Sequence, residues 1–124
     1  MKLARVTDQK FQAALQKLLK ESLPLRTAFK LKGIAKRAQE ELDKYEEVRK
    51  AAVERYGSKD ENGNLIVLEE GTVKLEGENL NQFVKELSDL VNTEISIGTV
   101  SIDELGDKVN MSAEELLALE DLLV

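Results

Sequence analysis

Hydrophobic residues recur at helical spacing in the first part of the chain. Over residues 8–21 they fall on one face of a helix, and they are Phe11, Ala14, Leu15, Leu18 and Leu19. Thr7 is a candidate N-cap for this helix. Pro24 disfavours helical geometry at the residue before it but is accepted in the first turn of a new helix. The pattern therefore predicts one helix over residues 8–21 and a second that starts at residue 25.

The second predicted helix covers residues 25–56, which contain no proline and one glycine. Its small and apolar residues step by three and four in alternation, which is the spacing of a coiled-coil seam. The part of this seam that we expect to contact another copy consists of Leu31, Ala35, Ala38, Leu42, Tyr45 and Arg49. A helix of this length spans roughly 48 Å, so part of it should project or be covered by a partner. The sequence therefore predicts a homo-oligomer.

Arg49 is an exception within this seam, because a hydrophobic residue is expected at its position. One interpretation is that the seam shifts towards Val48 and Val53 while the Arg49 side chain extends to solvent. The other is that Arg49 sets the register of a helix–helix interface. The sequence alone is compatible with both.

A turn-rich stretch follows the long helix. Gly57 is a candidate C-cap, and residues 58–64 are dense in turn-forming residues. Two β-prone runs then flank Gly71, which predicts a β-hairpin over residues 64–76 with Gly71 at positive φ. A lone hairpin is marginal, so we expect it to pack on the helices or to pair with a second copy.

The remaining pattern predicts a third helix over residues 79–92, an extended segment over residues 94–102 and a Leu-rich helix over residues 113–123. Together the elements predict a single domain over residues 1–124 with an α+β fold, mainly α with a small β element. Its parts are a long central coiled-coil-like helix, a β-hairpin and a docked C-terminal helix.

Composition argues against several chemistries. The chain has no cysteine and no histidine, so it offers neither a thiolate nucleophile nor the most common general acid or base. The acidic turn at residues 60–64 starts like a calcium loop, but Leu65 and Gly71 stand where that loop needs a glycine and a bidentate acid. We therefore expect a protein that is not an enzyme and that holds no metal or cofactor.

Charge is divided along the chain. Residues 1–59 carry 15 Lys and Arg against 8 Asp and Glu, a net +7, whereas residues 60–124 carry 3 against 16, a net −13. Residues 22–39 contain five cations and no acid. From this basic segment we predict a partner-binding set that consists of Arg26, Lys30, Lys36 and Arg37.

Three partners fit the basic segment: the acidic half of the same chain, an acidic protein surface, or nucleic-acid phosphate. Nucleic acid is favoured less, because Phe29 is the only aromatic residue of the segment and the whole chain has a net charge of −6. No stretch approaches the ~18 consecutive apolar residues of a membrane span. The start of the chain lacks the apolar core of a secretory signal. We therefore expect a cytoplasmic protein that does not bind membranes.

Several short motifs stand out along the chain, namely Leu23-Pro24, Glu46-Glu47-Val48-Arg49, Tyr56-Gly57, Asp60-Glu61-Asn62-Gly63-Asn64 and Glu94-Ile95-Ser96-Ile97. They resemble those of a family of small proteins encoded by tailed bacteriophages and prophages. The resemblance implies a phage origin and action in the cytoplasm of an infected bacterium, and it assigns no functional residues. The order helix, hairpin, helix is also similar to that of prefoldin subunits, by analogy of fold only.

The leading hypothesis is a non-enzymatic phage accessory or assembly protein. It would act by protein–protein interaction, with a virion component or a host protein, through the helical seam and the basic segment. One alternative is a nucleic-acid-binding accessory protein. The other is an inhibitor of a host defence enzyme, in which the acidic half of the chain mimics nucleic acid.

Overall fold

The computed structural model describes residues 1–107 and 109–124. They form the helices α1 (Leu3–Thr7), α2 (Gln9–Leu19), α3 (Leu25–Tyr56), α4 (Gly77–Val91), α5 (Ile102–Leu105) and α6 (Ala113–Ala118). The predicted mainly helical class and the long helix are confirmed. The described residues gather into two compact units, and the single domain over residues 1–124 stays a prediction. Unit 1 is Met1–Leu42 with Thr93–Val124, and unit 2 is Asp43–Asn92.

Unit 1 contains a hydrophobic core to which both ends of the sequence contribute. Side chains from α1, α2, the first part of α3 and the C-terminal segment meet there, because the helices carry their apolar residues on one face. The largest fully buried side chains are Val6, Phe11, Leu18, Leu31, Ile34, Ile97, Val100, Leu119 and Leu122. Removal of either end would therefore expose the core.

The first helices of unit 1 differ from the prediction at their caps. Thr7 ends α1, and its Oγ1 donates to the carbonyl oxygen of Ala4 at 2.8 Å, so it does not cap the next helix. Asp8 is the N-cap of α2, and its carboxylate accepts a hydrogen bond from the backbone N–H of Lys10 at 2.9 Å. A helix as short as α1 has too few turns to produce a periodic pattern in the sequence.

The C-terminal helix is shorter than the prediction of residues 113–123, because α6 ends at Ala118. The chain then turns and runs beside the extended segment that precedes α5. The N–H of Val100 donates to the carbonyl oxygen of Leu122 at 2.8 Å, and the N–H of Val124 donates to the carbonyl oxygen of Val100 at 3.0 Å. The last residues are therefore held by backbone pairing instead of by a final helical turn.

Unit 2 has little fully buried apolar surface. Phe83 of α4 is its one buried hydrophobic side chain, whereas Val48, Val67 and Val84 are more than half exposed. The Tyr56 hydroxyl donates to Glu86 Oε1 at 2.8 Å. This hydrogen bond is the main reason that the pKa of Tyr56 is raised.

The predicted β-hairpin over residues 64–76 is not confirmed as a pair of strands. Within unit 2 the structure has two isolated β-bridges, one between Lys59 and Leu65 and one between Val67 and Val73. The backbone groups that would extend a two-stranded ladder are instead shared among three segments of the chain. The backbone N–H and C=O groups of the β-prone residues therefore form hydrogen bonds without regular strands.

The three segments form a closed ring of backbone hydrogen bonds. The N–H of Ser58 donates to the carbonyl oxygen of Lys74 at 2.8 Å, the N–H of Lys74 to that of Ile66 at 2.8 Å, and the N–H of Ile66 to that of Ser58 at 2.9 Å. The turns between them include Gly63 and Gly71, both at positive φ as predicted for Gly71. We call this arrangement the backbone ring.

Candidate functional site

The first part of α3 presents two strips of residues on different faces, about 120° apart around the helix. The inner strip consists of Leu31, Ala35, Ala38 and Leu42, which lie in the core of unit 1 or pack against it. These are the first four residues of the predicted oligomer seam. The other two lie in unit 2, where Tyr45 is half-buried and Arg49 is exposed. The inner strip therefore contacts its own chain, and an oligomer through this seam stays a prediction.

The outer strip consists of Leu25, Phe29, Lys32 and Lys36. Their spacing of four, three and four residues places them within an arc of about 60° on an α-helix. Leu25 is 89% exposed and Phe29 is 83% exposed. A single exposed apolar residue is ordinary, but two large ones on adjacent turns of one helix face form a patch.

The start of α3 determines which residues reach this face. The carbonyl oxygen of Pro24 accepts the N–H of Ala28 at 2.9 Å, so regular helical geometry begins immediately after the proline. From that start, the periodicity that buries Leu31 and Ile34 directs Leu25 and Phe29 away from the core.

Lys30, one of the four predicted partner-binding residues, pairs within unit 1. Its Nζ lies 3.2 and 3.3 Å from the two carboxylate oxygens of Glu104. The Oγ1 of Thr27 also donates to the backbone carbonyl oxygen of Glu104, at 3.2 Å. The hydrogen bond from Lys30 is the main reason that the pKa of Glu104 is lowered. The positive charge of Lys30 is therefore paired with a carboxylate from the acidic half of the same chain.

Arg37, a second member of the set, is also engaged within unit 1. Its Nε–H donates to the backbone carbonyl oxygen of Ile97 at 2.8 Å. The guanidinium lies close to Gly98, where an added Cβ would be 3.0 Å from Nη2. Arg37 therefore has a role in holding the extended segment against α3.

The other two members, Arg26 and Lys36, are exposed, and so is Lys32 between them. None of the three side chains makes a hydrogen bond or an ion pair with the described residues. No acid lies between Glu21 and Glu40 in the sequence. The positive charges of Arg26, Lys32 and Lys36 are therefore not paired with carboxylates of the described residues, whereas that of Lys30 is.

Further ion pairs join the basic N-terminal part of unit 1 to its acidic C-terminal part. Arg5 Nε lies 2.9 Å from Asp121 Oδ2 and its Nη2 lies 3.2 Å from Glu120 Oε1. Lys17 Nζ lies 2.8 Å from Glu115 Oε1. Together with the pair of Lys30, these contacts occupy much of the acidic surface between α5 and the end of the chain.

Glu115 has the most strongly shifted carboxyl group of unit 1. Hydrogen bonds from Lys17 and from the backbone N–H of Ser112 lower its pKa to about 2. The Ser112 hydroxyl in turn accepts the N–H of Glu115 at 3.2 Å, which completes the capping box of α6. The perturbed pKa thus reflects a helix cap that also bears an ion pair, which is a structural role.

Other acidic residues are likewise engaged in local structure. The Asp60 carboxylate accepts the backbone N–H groups of Asn62 and Asn64 at 2.9 and 3.0 Å, which closes the acidic turn. Across the described residues, no three Asp or Glu side chains stand close enough together to hold a metal ion. The outer strip with Arg26 combines highly exposed apolar side chains with cations that have no partner among the described residues, so we take it as the candidate functional site.

The sequence placed Arg26 and Lys36 of this site in the predicted partner-binding set, but that set left out Leu25, Phe29 and Lys32. The signal was present, because residues 25 and 29 are out of phase with the seam that continues through Leu31. A hydrophobic residue out of phase with the buried face of its own helix is directed to solvent, and two such residues one turn apart indicate a contact surface.

No helix in the described residues is both long and apolar enough to cross a membrane. No family model, curated protein or solved structure matches the chain. The resemblance to bacteriophage proteins therefore stays a prediction, and the functional argument depends on the geometry of the outer strip.

Proposed function

We propose that this chain is a non-enzymatic binding protein that acts through protein–protein interaction. Its contact surface is the outer strip of α3 together with Arg26. The observation that carries the proposal is the exposure of Leu25 and Phe29, at 89% and 83%, beside three cations without partners among the described residues. Interfaces combine apolar anchors with a polar rim in this way.

The biological setting belongs to the same proposal. The resemblance to phage proteins supports an accessory or assembly role in the cytoplasm of an infected bacterium, with a virion component or a host protein as the partner. Homo-oligomerisation is a separate prediction, because the inner strip is packed against its own chain. The alternative of an acidic nucleic-acid mimic loses support, because Glu104, Glu115 and Asp121 are paired with cations of the same chain.

Nucleic acid is a second candidate partner for the outer strip, since an exposed phenyl ring between cations can stack on a base. Three cations are few for this purpose, because phosphate contacts supply most of the affinity for a polyanion. The net charge of −6 opposes it further. We therefore retain protein as the partner.

The experiment compares three tagged forms of the chain as baits in an extract of infected cells: the unmodified chain, Leu25→Ser with Phe29→Ser, and Leu117→Ser. Leu117 of α6 is 61% exposed and serves as a matched control for the loss of an exposed leucine. A protein retained by the unmodified chain and by Leu117→Ser, but lost from the double variant, supports the proposal. Equal retention by all three baits would remove the outer strip as the contact surface.

A further inference from the structure

The spacing of the outer strip indicates which kind of secondary structure a partner would place on it. Leu25, Phe29, Lys32 and Lys36 repeat at intervals of four, three and four residues, which is the pattern along which a second helix packs on the first. They extend over three turns of α3, about 16 Å along the helix axis. A partner helix of about 12–15 residues can cover this length.

Apolar and charged residues are separated along the strip. Leu25 and Phe29 occupy its N-terminal half, and Lys32 and Lys36 occupy its C-terminal half. Arg26 adds a third positive charge beside the apolar end. A complementary helix therefore needs apolar residues against the first half and carboxylates against the second.

We infer that the partner presents an acidic amphipathic α-helix, whose apolar residues cover Leu25 and Phe29 and whose carboxylates pair with Lys32 and Lys36. This inference rests on the proposed function and adds the chemistry of the partner. The side chains of Lys32 and Lys36 make no ion pair with the described chain, so carboxylates of a partner have no internal competitor.

The same charges argue against the outer strip of a second copy as the occupant. In a parallel packing of two copies, Lys32 and Lys36 would lie close to the same cations of the second copy, and like charges at an interface are unfavourable. In an antiparallel packing they would face Leu25 and Phe29 of the second copy, which offer no carboxylate to pair with the cations. The inner strip cannot replace it, because Leu31 and Ala38 are at most 5% exposed. An acidic amphipathic helix covers the apolar half of the strip and pairs with its cations, and it does not require the buried inner strip.

Three defined probes test the inference with the full chain. The first is a labelled 15-residue peptide with leucines and glutamates at the complementary four, three, four spacing and alanine elsewhere. The second replaces its glutamates with lysines, and the third is a single-stranded 20-nucleotide oligo(dT). Binding is measured by fluorescence anisotropy at low and at physiological salt.

The first peptide should bind, more tightly at low salt, and the lysine peptide should bind at least roughly 10-fold more weakly. Phe29→Ser should weaken binding of the first peptide by roughly 30-fold, the effect of losing a central aromatic anchor. Lys32→Glu with Lys36→Glu should reverse the preference between the two peptides. Lys10→Glu, an exposed cation on α2, is the matched control and should change neither affinity.

The outcomes that overturn the inference differ from those that overturn the proposed function. Equal binding of both peptides would show that the charge is not recognised. Tighter binding of oligo(dT) than of the acidic peptide, lost in Phe29→Ser, would assign the strip to nucleic acid. Failure of the acidic peptide to bind, while a cellular protein is still lost from the Leu25→Ser, Phe29→Ser bait, would reject the acidic helix and retain the binding surface.

Discussion

The Nε–H of Arg37 donates a hydrogen bond across 2.8 Å to the backbone carbonyl oxygen of Ile97. The guanidinium lies beside two glycines, Gly33 and Gly98. An added Cβ would lie 3.3 Å from Nη1 at Gly33 and 3.0 Å from Nη2 at Gly98. Arg37, predicted as a partner-binding residue, therefore connects α3 to the extended segment of unit 1.

Gly98→Ala should destabilise unit 1 by about 1–3 kcal/mol, because alanine is strained at φ +108° and its Cβ would also lie 3.1 Å from Ile34 Cγ1. Gly106→Ala is the control, since Gly106 has φ +74° with no atom near an added Cβ. The midpoint of urea unfolding should fall further for Gly98→Ala than for Gly106→Ala. Equal shifts would mean that the crowding at residue 98 relaxes without cost.

Gly33→Ala should have the opposite sign. An alanine inside a helix is favoured over glycine by about 1 kcal/mol, and the nearest atoms to its Cβ belong to the flexible end of Arg37. We expect the free energy of unfolding to rise by about 0.5–1 kcal/mol, measured by urea denaturation monitored by circular dichroism. A loss of stability would show that the hydrogen bond to Ile97 does not allow the guanidinium to move.

The low pKa of Glu115 predicts a pH dependence of stability. Its pKa is about 2 in the folded chain and close to its ordinary value when unfolded, so its contribution is complete above about pH 5 and is lost as the pH falls towards 2. Lys17→Met removes the largest cause of the shift. An NMR titration of the side-chain carboxyl should then give a higher pKa for Glu115.

In that titration, the pKa of Glu104 is the internal control, because its main partner is Lys30 and not Lys17. It should remain unchanged in Lys17→Met. If the pKa of Glu115 also stayed at its original value, the backbone N–H of Ser112 and not the ion pair would be the dominant cause.

Gly57→Ala should destabilise unit 2. An added Cβ would lie 2.7 Å from Val73 Cγ1 and 2.8 Å from Leu65 Cδ2, closer than van der Waals contact allows. Hydrogen exchange of the Ser58, Ile66 and Lys74 amides should accelerate, because these groups form the backbone ring. Unchanged protection of these three amides would contradict the close packing at residue 57.

How much of the structure the sequence predicts depends on the range of the interaction. The bounds of α3 and the burial of Leu31 and Ala38 follow from local signals, namely a proline, a glycine and a three-four spacing. The pair of Lys30 with Glu104 joins residues 74 positions apart, and no local pattern encodes it. The sequence could therefore identify the cations of the candidate site but not which of them are already engaged.

The sequence does not predict the backbone ring, for a different reason. Its hydrogen bonds connect Ser58, Ile66 and Lys74 at intervals of eight residues, and they involve main-chain groups that every residue carries. The two β-prone runs have a hydrophobic pattern that fits a hairpin and this arrangement equally well. Only the three-dimensional path of the chain distinguishes the two.

The ring also brings the backbone N–H of Ser58, two residues after the end of α3, within 2.8 Å of the carbonyl oxygen of Lys74 in the segment that leads to α4. The two intervening turns, one between residues 58 and 66 and one between residues 66 and 74, therefore each begin and end at the backbone ring. Their tips, which include Gly63 and Gly71, have no atom near an added Cβ. The length and chemistry of these two turns can therefore change without a change in the backbone ring, so different surfaces can be built here on one scaffold.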